Sequence, residues 1–130
     1  MVVDASVWIA RSAPDESRHT AAALWLREHR EGELTVPTLA LAEVAGALAR
    51  RFSRRAAAAA LQQIRAIPWL EIVVLDESLA LEAADVAATY RLRGADAVYV
   101  AIAARLRVSL VTLDREVASR VAAVINVVQP

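Results

Sequence analysis

The sequence predicts an α/β fold in which a parallel central sheet of about five short strands is flanked by helices on both faces. Short β-branched runs alternate with one or two helical segments, and short turns join them. Parallel strands need crossover connections of this kind, so the alternation favours a parallel sheet over an antiparallel one. The length of 130 residues suits one hydrophobic core, and we therefore expect a single domain over residues 1–130.

In the first half of the chain, apolar runs and helix-ending residues predict two strands and four helices. Gly32 closes the second helix, Pro37 opens the third and Pro68 follows the fourth. Glycine is favoured just past a helix, whereas proline suits the first turn and is excluded from the interior. The predicted order is a strand at 1–3 that runs into a helix after residue 4, a helix at 19–30, a strand at 34–36, and helices at 37–51 and 54–67.

The second half predicts three more strands and three more helices. Asp76 is placed to cap a long helix, and Gly94 is expected to stop it. The predicted elements are a strand at 71–75, helices at 76–93 and 94–105, a strand at 109–113, a helix at 114–121 and a strand at 124–128. In such sheets the functional site lies beyond the carboxyl ends of the strands, where the strand order reverses. Asp4 and Asp114 each follow a predicted strand.

Composition excludes several classes of chemistry. The chain has no Cys, so disulfides, thiolate metal sites and cysteine nucleophiles are excluded. Its 15 basic and 15 acidic residues cancel, which removes the overall positive charge typical of nucleic-acid binders. Any contact with nucleic acid must therefore be local. The first residues lack a basic leader and no apolar run is long enough to cross a bilayer, so we expect a cytoplasmic protein that does not contact membranes.

The acidic residues fall into two groups, and the smaller group is the informative one. Most acids lie in polar turns or near arginines, where a solvated carboxylate needs no function. Four others stand in the most apolar stretches of the chain: Asp4 is the only charge in residues 1–10, Glu43 the only one in 37–49 and Asp96 the only one in 94–104, while Asp114 follows five uncharged residues.

Glu43 gives the strongest indication of a metal site. It lies in the middle of a predicted helix, opposite the apolar stripe of Leu41, Val44 and Leu48, on a face of Leu39, Gly46 and Ala47 that does not look solvated. An isolated carboxylate in such surroundings costs several kcal/mol unless it is paired or bound to a metal. A hard divalent cation held by oxygen atoms would stabilise all four carboxylates together.

Each of these acids also has a structural explanation. Asp4, Asp96 and Asp114 occur where helices begin, and taken singly an N-cap is the simpler explanation of each. Glu43 is too far inside its helix to be a cap, but it could pair with an arginine. Asp76 and Asp85 are explained as an N-cap and a solvated helix acid, and neither is assigned to the site.

Four segments together resemble the PIN domain, and most closely its short VapC-type toxins. They are Val2-Val3-Asp4-Ala5-Ser6, Pro37-Thr38 through Glu43, Gly94-Ala95-Asp96-Ala97 through Ala103, and Leu110-Val111-Thr112-Leu113-Asp114. The resemblance covers nearly the whole chain. It implies that Asp4, Glu43, Asp96 and Asp114 are catalytic metal ligands, with Ser6 and Thr112 as supporting hydroxyl groups and Glu116 as a further acid at the edge of the site.

The resemblance also implies an activity and partners. These are Mg²⁺- or Mn²⁺-dependent endoribonuclease activity on a structured RNA such as transfer RNA, homodimerisation, and inhibition by a cognate antitoxin protein. The alternative is a non-catalytic PIN-like module that binds RNA or protein. Phosphatase folds that also begin with a strand ending in Asp are disfavoured, because Ser6 replaces their second Asp and the chain has no Lys.

Arginines are the candidates for contact with RNA phosphates. Four of them surround Phe52 just after the Glu43 helix, and another follows the first predicted strand. Arginines at a helix end are equally explained as solvated residues that interact with the helix dipole. The candidate nucleic-acid contacts are Arg11, Arg50, Arg51, Arg54 and Arg55.

Overall fold

A computed structural model describes all residues, 1–130, as five strands and seven helices. Their order is β1 (Val2–Val3), α1 (Ala5–Ser12), α2 (His19–Glu28), β2 (Leu34–Pro37), α3 (Thr38–Arg51), α4 (Arg54–Arg65), β3 (Leu70–Val73), α5 (Glu77–Tyr90), α6 (Gly94–Leu106), β4 (Leu110–Val111), α7 (Arg115–Val121) and β5 (Val127–Val128). The α/β fold class predicted from the sequence is confirmed.

The five strands form one parallel sheet in the order β3-β2-β1-β4-β5. Val2 of β1 pairs with Thr35 of β2 on one side and with Leu110 of β4 on the other. The strands of the sheet centre are buried on both faces, which explains why β1 and β4 are uniformly apolar rather than alternating.

The helices form two groups because the direction of strand addition reverses once. Strands β1, β2 and β3 are added in one direction, and the chain then crosses back to place β4 and β5 on the other side of β1. Right-handed crossovers put α1–α4 on one face of the sheet and α5–α7 on the other. The packing agrees, since α1 contacts α2 and α3, α3 contacts α4, and α5 contacts α6. The reversal lies between β1 and β4.

Helix α5 ends three residues before the predicted end, and Gly94 is not its stop. Arg91 takes the left-handed conformation at φ 54° instead, and the N–H groups of Arg91 and Leu92 both donate to the carbonyl of Ala87. Gly94 becomes the first residue of α6. The reason is that main-chain hydrogen bonds at the C-terminus of α5 offset the strain of a side chain at positive φ.

Several other elements are shorter than predicted. The predicted strands at 71–75, 109–113 and 124–128 are shorter and become Leu70–Val73, Leu110–Val111 and Val127–Val128, while α2 and α4 end at Glu28 and Arg65. Apolar sequence continues past β3, but pairing ends before the chain turns into α5, and the apolar residues 124–125 before β5 do not pair. Sequence patterns detect burial, whereas strand bounds depend on the neighbouring strand.

The core lies between the sheet and both helix groups. Trp8 and Tyr99 are the largest fully buried side chains, and helix α6 contributes seven consecutive buried residues, 97–103. A helix buried on all sides explains why this segment shows so little polar character. None of the helices combines the length and the apolar character that a membrane crossing requires.

Helix α5 offers a matched test of core packing. Leu79 is fully buried whereas Leu81 is 66% exposed on the same helix. We expect Leu79→Ala to lower the free energy of unfolding by about 2–5 kcal/mol, because it leaves a cavity. Leu81→Ala should change it by less than about 0.5 kcal/mol. Urea denaturation followed by circular dichroism measures both, and equal losses would contradict the described packing of α5.

Candidate metal centre

Asp4 lies directly beyond the carboxyl end of β1, at the point where the strand order reverses. Its carboxylate is buried, with the residue only 8% exposed. One oxygen, Oδ1, accepts the backbone N–H of Ser6 at 3.0 Å, and the other, Oδ2, accepts the hydroxyl of Thr112 at 2.5 Å. Thr112 follows β4, the neighbour of β1 in the sheet. Residues 108 apart in sequence therefore meet at one edge.

Ser6 and Thr112 join the two loops at this edge. The Ser6 hydroxyl accepts the backbone N–H of Leu113 at 3.1 Å, and the Thr112 hydroxyl accepts that of Asp114 at 3.0 Å. Both hydroxyls thus act as acceptors for backbone N–H groups in the loop after β4. These hydrogen bonds hold Asp4 and Asp114 beyond the ends of two adjacent strands, β1 and β4.

Glu43 reaches the same region from α3. It is half-buried, and its Oε2 accepts the hydroxyl of Tyr99 in α6 at 2.5 Å. Burial and the adjacent Glu43 carboxylate raise the pKa of Tyr99, so the phenol stays protonated and acts as a donor. Glu43 makes no ion pair with an arginine, so the pairing considered as an alternative is wrong for this residue.

The ionisation of Asp4 and of Glu43 is influenced by other acids that reach this edge from different elements. Burial raises the pKa of Asp4, and the nearby charge of Asp96 raises it further. Burial likewise raises the pKa of Glu43, with added repulsion from Asp4 and Asp96, although the Tyr99 hydrogen bond acts in the opposite direction. Loss of solvation and like-charge repulsion both disfavour the ionised forms. The fold therefore concentrates negative charge at this edge.

Asp96 and Asp114 share a single arginine. The Nε of Arg93 donates to Asp96 Oδ2 at 2.7 Å, and its Nη2 donates to Asp114 Oδ2 at 3.0 Å. The Arg93 side chain is 76% exposed, so each ion pair contributes little to stability on its own. A guanidinium is nevertheless the only cation in contact with these two carboxylates.

The donor chemistry fits a hard divalent cation such as Mg²⁺ or Mn²⁺. All the side chains at the edge offer oxygen, and the mutual repulsion among Asp4, Glu43 and Asp96 is of the kind that a cation would relieve. As the side chains stand, no three acids are arranged around a common point for an ion. The position between Asp96 and Asp114 is taken by Arg93, so a positive charge already satisfies part of the cluster.

The capping explanation applies to two of the three Asp residues. Asp4 caps α1, and Asp114 caps α7 by accepting the N–H groups of Glu116 and Val117. Asp96 is no cap, because α6 begins two residues earlier with Arg93 at the N-cap position. Capping does not use all the acceptor positions of a carboxylate, since its two oxygens offer about four of them.

The remaining predicted site residues are placed differently. Glu116 lines a surface cleft together with Asp96 and Asp114, and it pairs with Arg120 at 2.5 Å. Arg50 folds back over Gly46, which lies one helical turn from Glu43. The Nη1 atom of Arg50 would be 3.1 Å from a Cβ placed on that glycine. Arg51 instead pairs with Asp15 and Glu16.

None of the five candidate arginines forms an ion pair with an acid of the cluster. Arg11 lines a separate groove with Trp8 and Trp69. Arg54 and Arg55 are exposed in the first turn of α4 and make no ion pair.

Sequence reasoning missed Tyr99 and Arg93. Tyr99 is the one polar side chain in the apolar run after Asp96, three residues on, and Arg93 precedes Asp96 by three. Helical spacing of three places such residues on one face of a helix. This spacing was a usable signal, but it does not reveal that the partners are Glu43 and Asp114 on other elements.

The buried Asp4 carboxylate predicts a pH-dependent stability. The pKa of Asp4 is raised above 3.8 in the folded protein. As pH rises, the Asp4 carboxyl therefore loses its proton in the unfolded chain first. The folded state loses stability between the unfolded and the folded pKa of this group. The loss persists at neutral pH. In EDTA near pH 7 we expect Asp4→Asn to be more stable than the wild type, and the gain to shrink toward about pH 4. Asparagine caps helices as well as aspartate.

Urea unfolding of both proteins across this pH range measures the effect. Asp76→Asn is the matched control, since Asp76 is an exposed N-cap that donates nothing to the cluster. An Asp4→Asn protein that is less stable than the wild type at every pH would contradict the buried, repelled carboxylate.

Comparison with solved structures shows the fold in other proteins. VapC20 of Mycobacterium tuberculosis, described as a sarcin–ricin loop cleaving toxin, superposes with a TM-score of 0.84 at 23% identity, over 99% of this chain and 98% of that one. A Pyrobaculum aerophilum protein gives 0.71 at 25% identity, over 98% and 87%. A toxin–antitoxin complex from Klebsiella pneumoniae gives 0.70 at 17% identity, over 98% and 94%.

Sequence comparison assigns the family. No curated protein matches significantly. The sequence profile of the PIN domain matches residues 1–124, which include every acid of the cluster and nearly the whole fold. The chain therefore belongs to the PIN-domain family.

Proposed function

We propose that this protein is a divalent-metal-dependent endoribonuclease that hydrolyses RNA phosphodiester bonds. The observation that carries the proposal is the convergence of Asp4, Glu43 and Asp96 from three elements at the strand reversal, where the charge of Asp96 acts on Asp4, and the charges of Asp4 and Asp96 act on Glu43. Asp114 adds a fourth carboxylate from the loop after β4. Such oxygen-only clusters are suited to Mg²⁺ or Mn²⁺.

The chain's own residues hold this cluster in position. Thr112 holds one oxygen of Asp4, the backbone of Ser6 holds the other, and Tyr99 holds Glu43. A bound cation would lower the pKa of a bound water and stabilise the charge on the scissile phosphate. No side-chain nucleophile is required. The Nδ1 of His19 donates to the backbone carbonyl of Ala10, and the Nδ1 of His29 donates to that of Trp25, which leaves them no role at the acids.

The biological role we propose is that of a VapC-type toxin. Several proteins with this fold are toxins or toxin–antitoxin complexes, and one is described as cleaving the sarcin–ricin loop. A structured RNA, such as ribosomal or transfer RNA, is therefore the substrate class we favour. The likeness to toxin–antitoxin complexes supports an antitoxin partner. From the family resemblance we further propose that the antitoxin covers the acidic cluster and that the protein is a cytoplasmic homodimer.

A non-catalytic PIN-like binding module is the second candidate. It would use the same fold to hold RNA or protein without hydrolysis, and it is typically reached by loss of an acid from the cluster. All four acids are present here, which favours catalysis.

Cleavage of RNA with and without metal tests the proposal. We expect purified protein to cleave structured RNA with Mg²⁺ or Mn²⁺ and not with EDTA. Asp4→Ala and Glu43→Ala should each lower the rate about a hundredfold or more, because a metal centre supplies several kcal/mol of transition-state stabilisation. Denaturing gels of end-labelled RNA give the rates.

The control for these variants is Asp85→Ala, which removes an exposed acid that makes no ion pair. Its rate should match the wild type. Equal cleavage by all four proteins would indicate a contaminating nuclease, and binding without cleavage would favour the binding module.

The Tyr99 hydroxyl gives a second test. We expect Tyr99→Phe to weaken Mn²⁺ binding and slow cleavage by about 10–100-fold, the usual effect of removing a hydrogen bond to a metal ligand. Tyr90→Phe is the matched control, because the only other tyrosine makes no side-chain hydrogen bond. Isothermal titration calorimetry with Mn²⁺ measures the affinity. Equal affinities for the two variants would exclude a role for Tyr99 in positioning Glu43.

A further inference from the structure

A polar cleft of about 260 Å³ borders the acidic cluster, between the α5–α6 connection and α7. Its charged lining consists of three arginines and three acids: Arg91, Arg93, Arg120, Asp96, Asp114 and Glu116. The formal charges cancel. As it stands, the cleft therefore has no net attraction for the phosphates of RNA, although it is open to solvent beside the proposed site of hydrolysis.

Arg93 is the residue that holds this balance. It contacts Asp96 and Asp114 directly, and its charge is also felt by Glu43 and Glu116. The two contacts use two of the five guanidinium N–H donors, and the side chain is 76% exposed. No other cation in the chain bridges two acids of the cluster.

The other two arginines of the cleft are placed differently. Arg120 is held by the carbonyls of Tyr90 and Arg91 and by Glu116. It stabilises the end of α5 and is not free to move. The Arg91 side chain makes no ion pair, and its backbone carries the positive φ that ends α5. That early end leaves Arg93 with an extended backbone at the N-cap of α6, from which its side chain reaches across to Asp114.

We infer that Arg93 is an internal counter-ion that a divalent cation displaces from Asp96 and Asp114, and that the released guanidinium then binds an RNA phosphate beside the metal. This inference rests on the proposed function and deepens it. A cation on the two acids supplies the positive charge that Arg93 supplies now, and its added charge makes the cleft attractive to anions. Guanidinium forks match phosphate oxygens as well as carboxylates.

Two consequences distinguish this exchange from a fixed ion pair. Removing Arg93 should strengthen metal binding, because the cation no longer competes for the two acids. The same change should weaken RNA binding, but only when a divalent cation is present. An arginine that stays paired with the two acids when a cation binds would not make RNA affinity depend on the cation in this way.

Metal affinity is tested first, without RNA. We expect isothermal titration with Mn²⁺ to show tighter binding by Arg93→Gln than by the wild type, by several fold. Arg91→Gln removes the same charge from the same cleft without touching an acid, and it should give a clearly smaller gain. Equal gains would mean that general charge alone acts, and would overturn the exchange.

RNA affinity is tested next with a fluorescent structured RNA by anisotropy, in EDTA and in Ca²⁺, with gels to confirm that the RNA stays intact. We expect Arg93→Gln to match the wild type in EDTA and to bind about tenfold more weakly in Ca²⁺. Arg93→Lys, which keeps the charge without the fork, should recover part of the loss. An equal loss in EDTA and Ca²⁺, or no loss in either, would overturn the inference.

The outcomes also separate this inference from the proposed function. A wild-type protein that binds Mn²⁺ and cleaves RNA, with an Arg93→Gln variant unchanged in both affinities, leaves the nuclease intact and removes the exchange. A wild-type protein that neither binds Mn²⁺ nor cleaves RNA overturns both.

Discussion

The buried carboxylate of Asp4 is the constraint on which the rest of this site depends. It lies at the one point where the sheet reverses its direction of growth, and its charge must be met there by neighbours. Thr112 and the backbone of Ser6 meet part of it. Because Asp96 and Glu43 add further negative charge, the hydrogen bonds reduce the cost without removing it. Part of the negative charge at this edge is already offset by Arg93, which pairs with Asp96 and Asp114.

Two features that look like alternatives act together in this protein. Asp4 and Asp114 cap α1 and α7, and the same residues belong to the acidic cluster. A cap fixes the direction of the carboxylate through one oxygen, which leaves the other oxygen to accept from Thr112 in Asp4 and from Arg93 in Asp114. The structural explanation of these residues is therefore correct without excluding the functional one.

The hydrogen-bond donor and the cation that contact the cluster come from residues that a search for acids alone would not select. Tyr99 brings a donor from the most apolar helix of the fold, and Arg93 brings a cation from a connection whose shape depends on Arg91 at positive φ. By contrast, Arg51 stabilises the loop after α1 through Asp15 and Glu16. The number of arginines near a helix end therefore predicts anion contacts less well than knowing which acids each arginine pairs with.

The sequence by itself determined the fold class, the number of strands and the four acids worth examining, because apolar periodicity and an isolated charge in an apolar stretch are local properties. Strand bounds, the end of α5 at Arg91 rather than Gly94, and the partners of Glu43 were decided by the tertiary structure. Each of these depends on a residue distant in sequence: Tyr99 lies 56 positions from Glu43, and Thr112 lies 108 from Asp4. A hydrogen bond between such residues exists only after the chain has folded, so no local pattern can specify it.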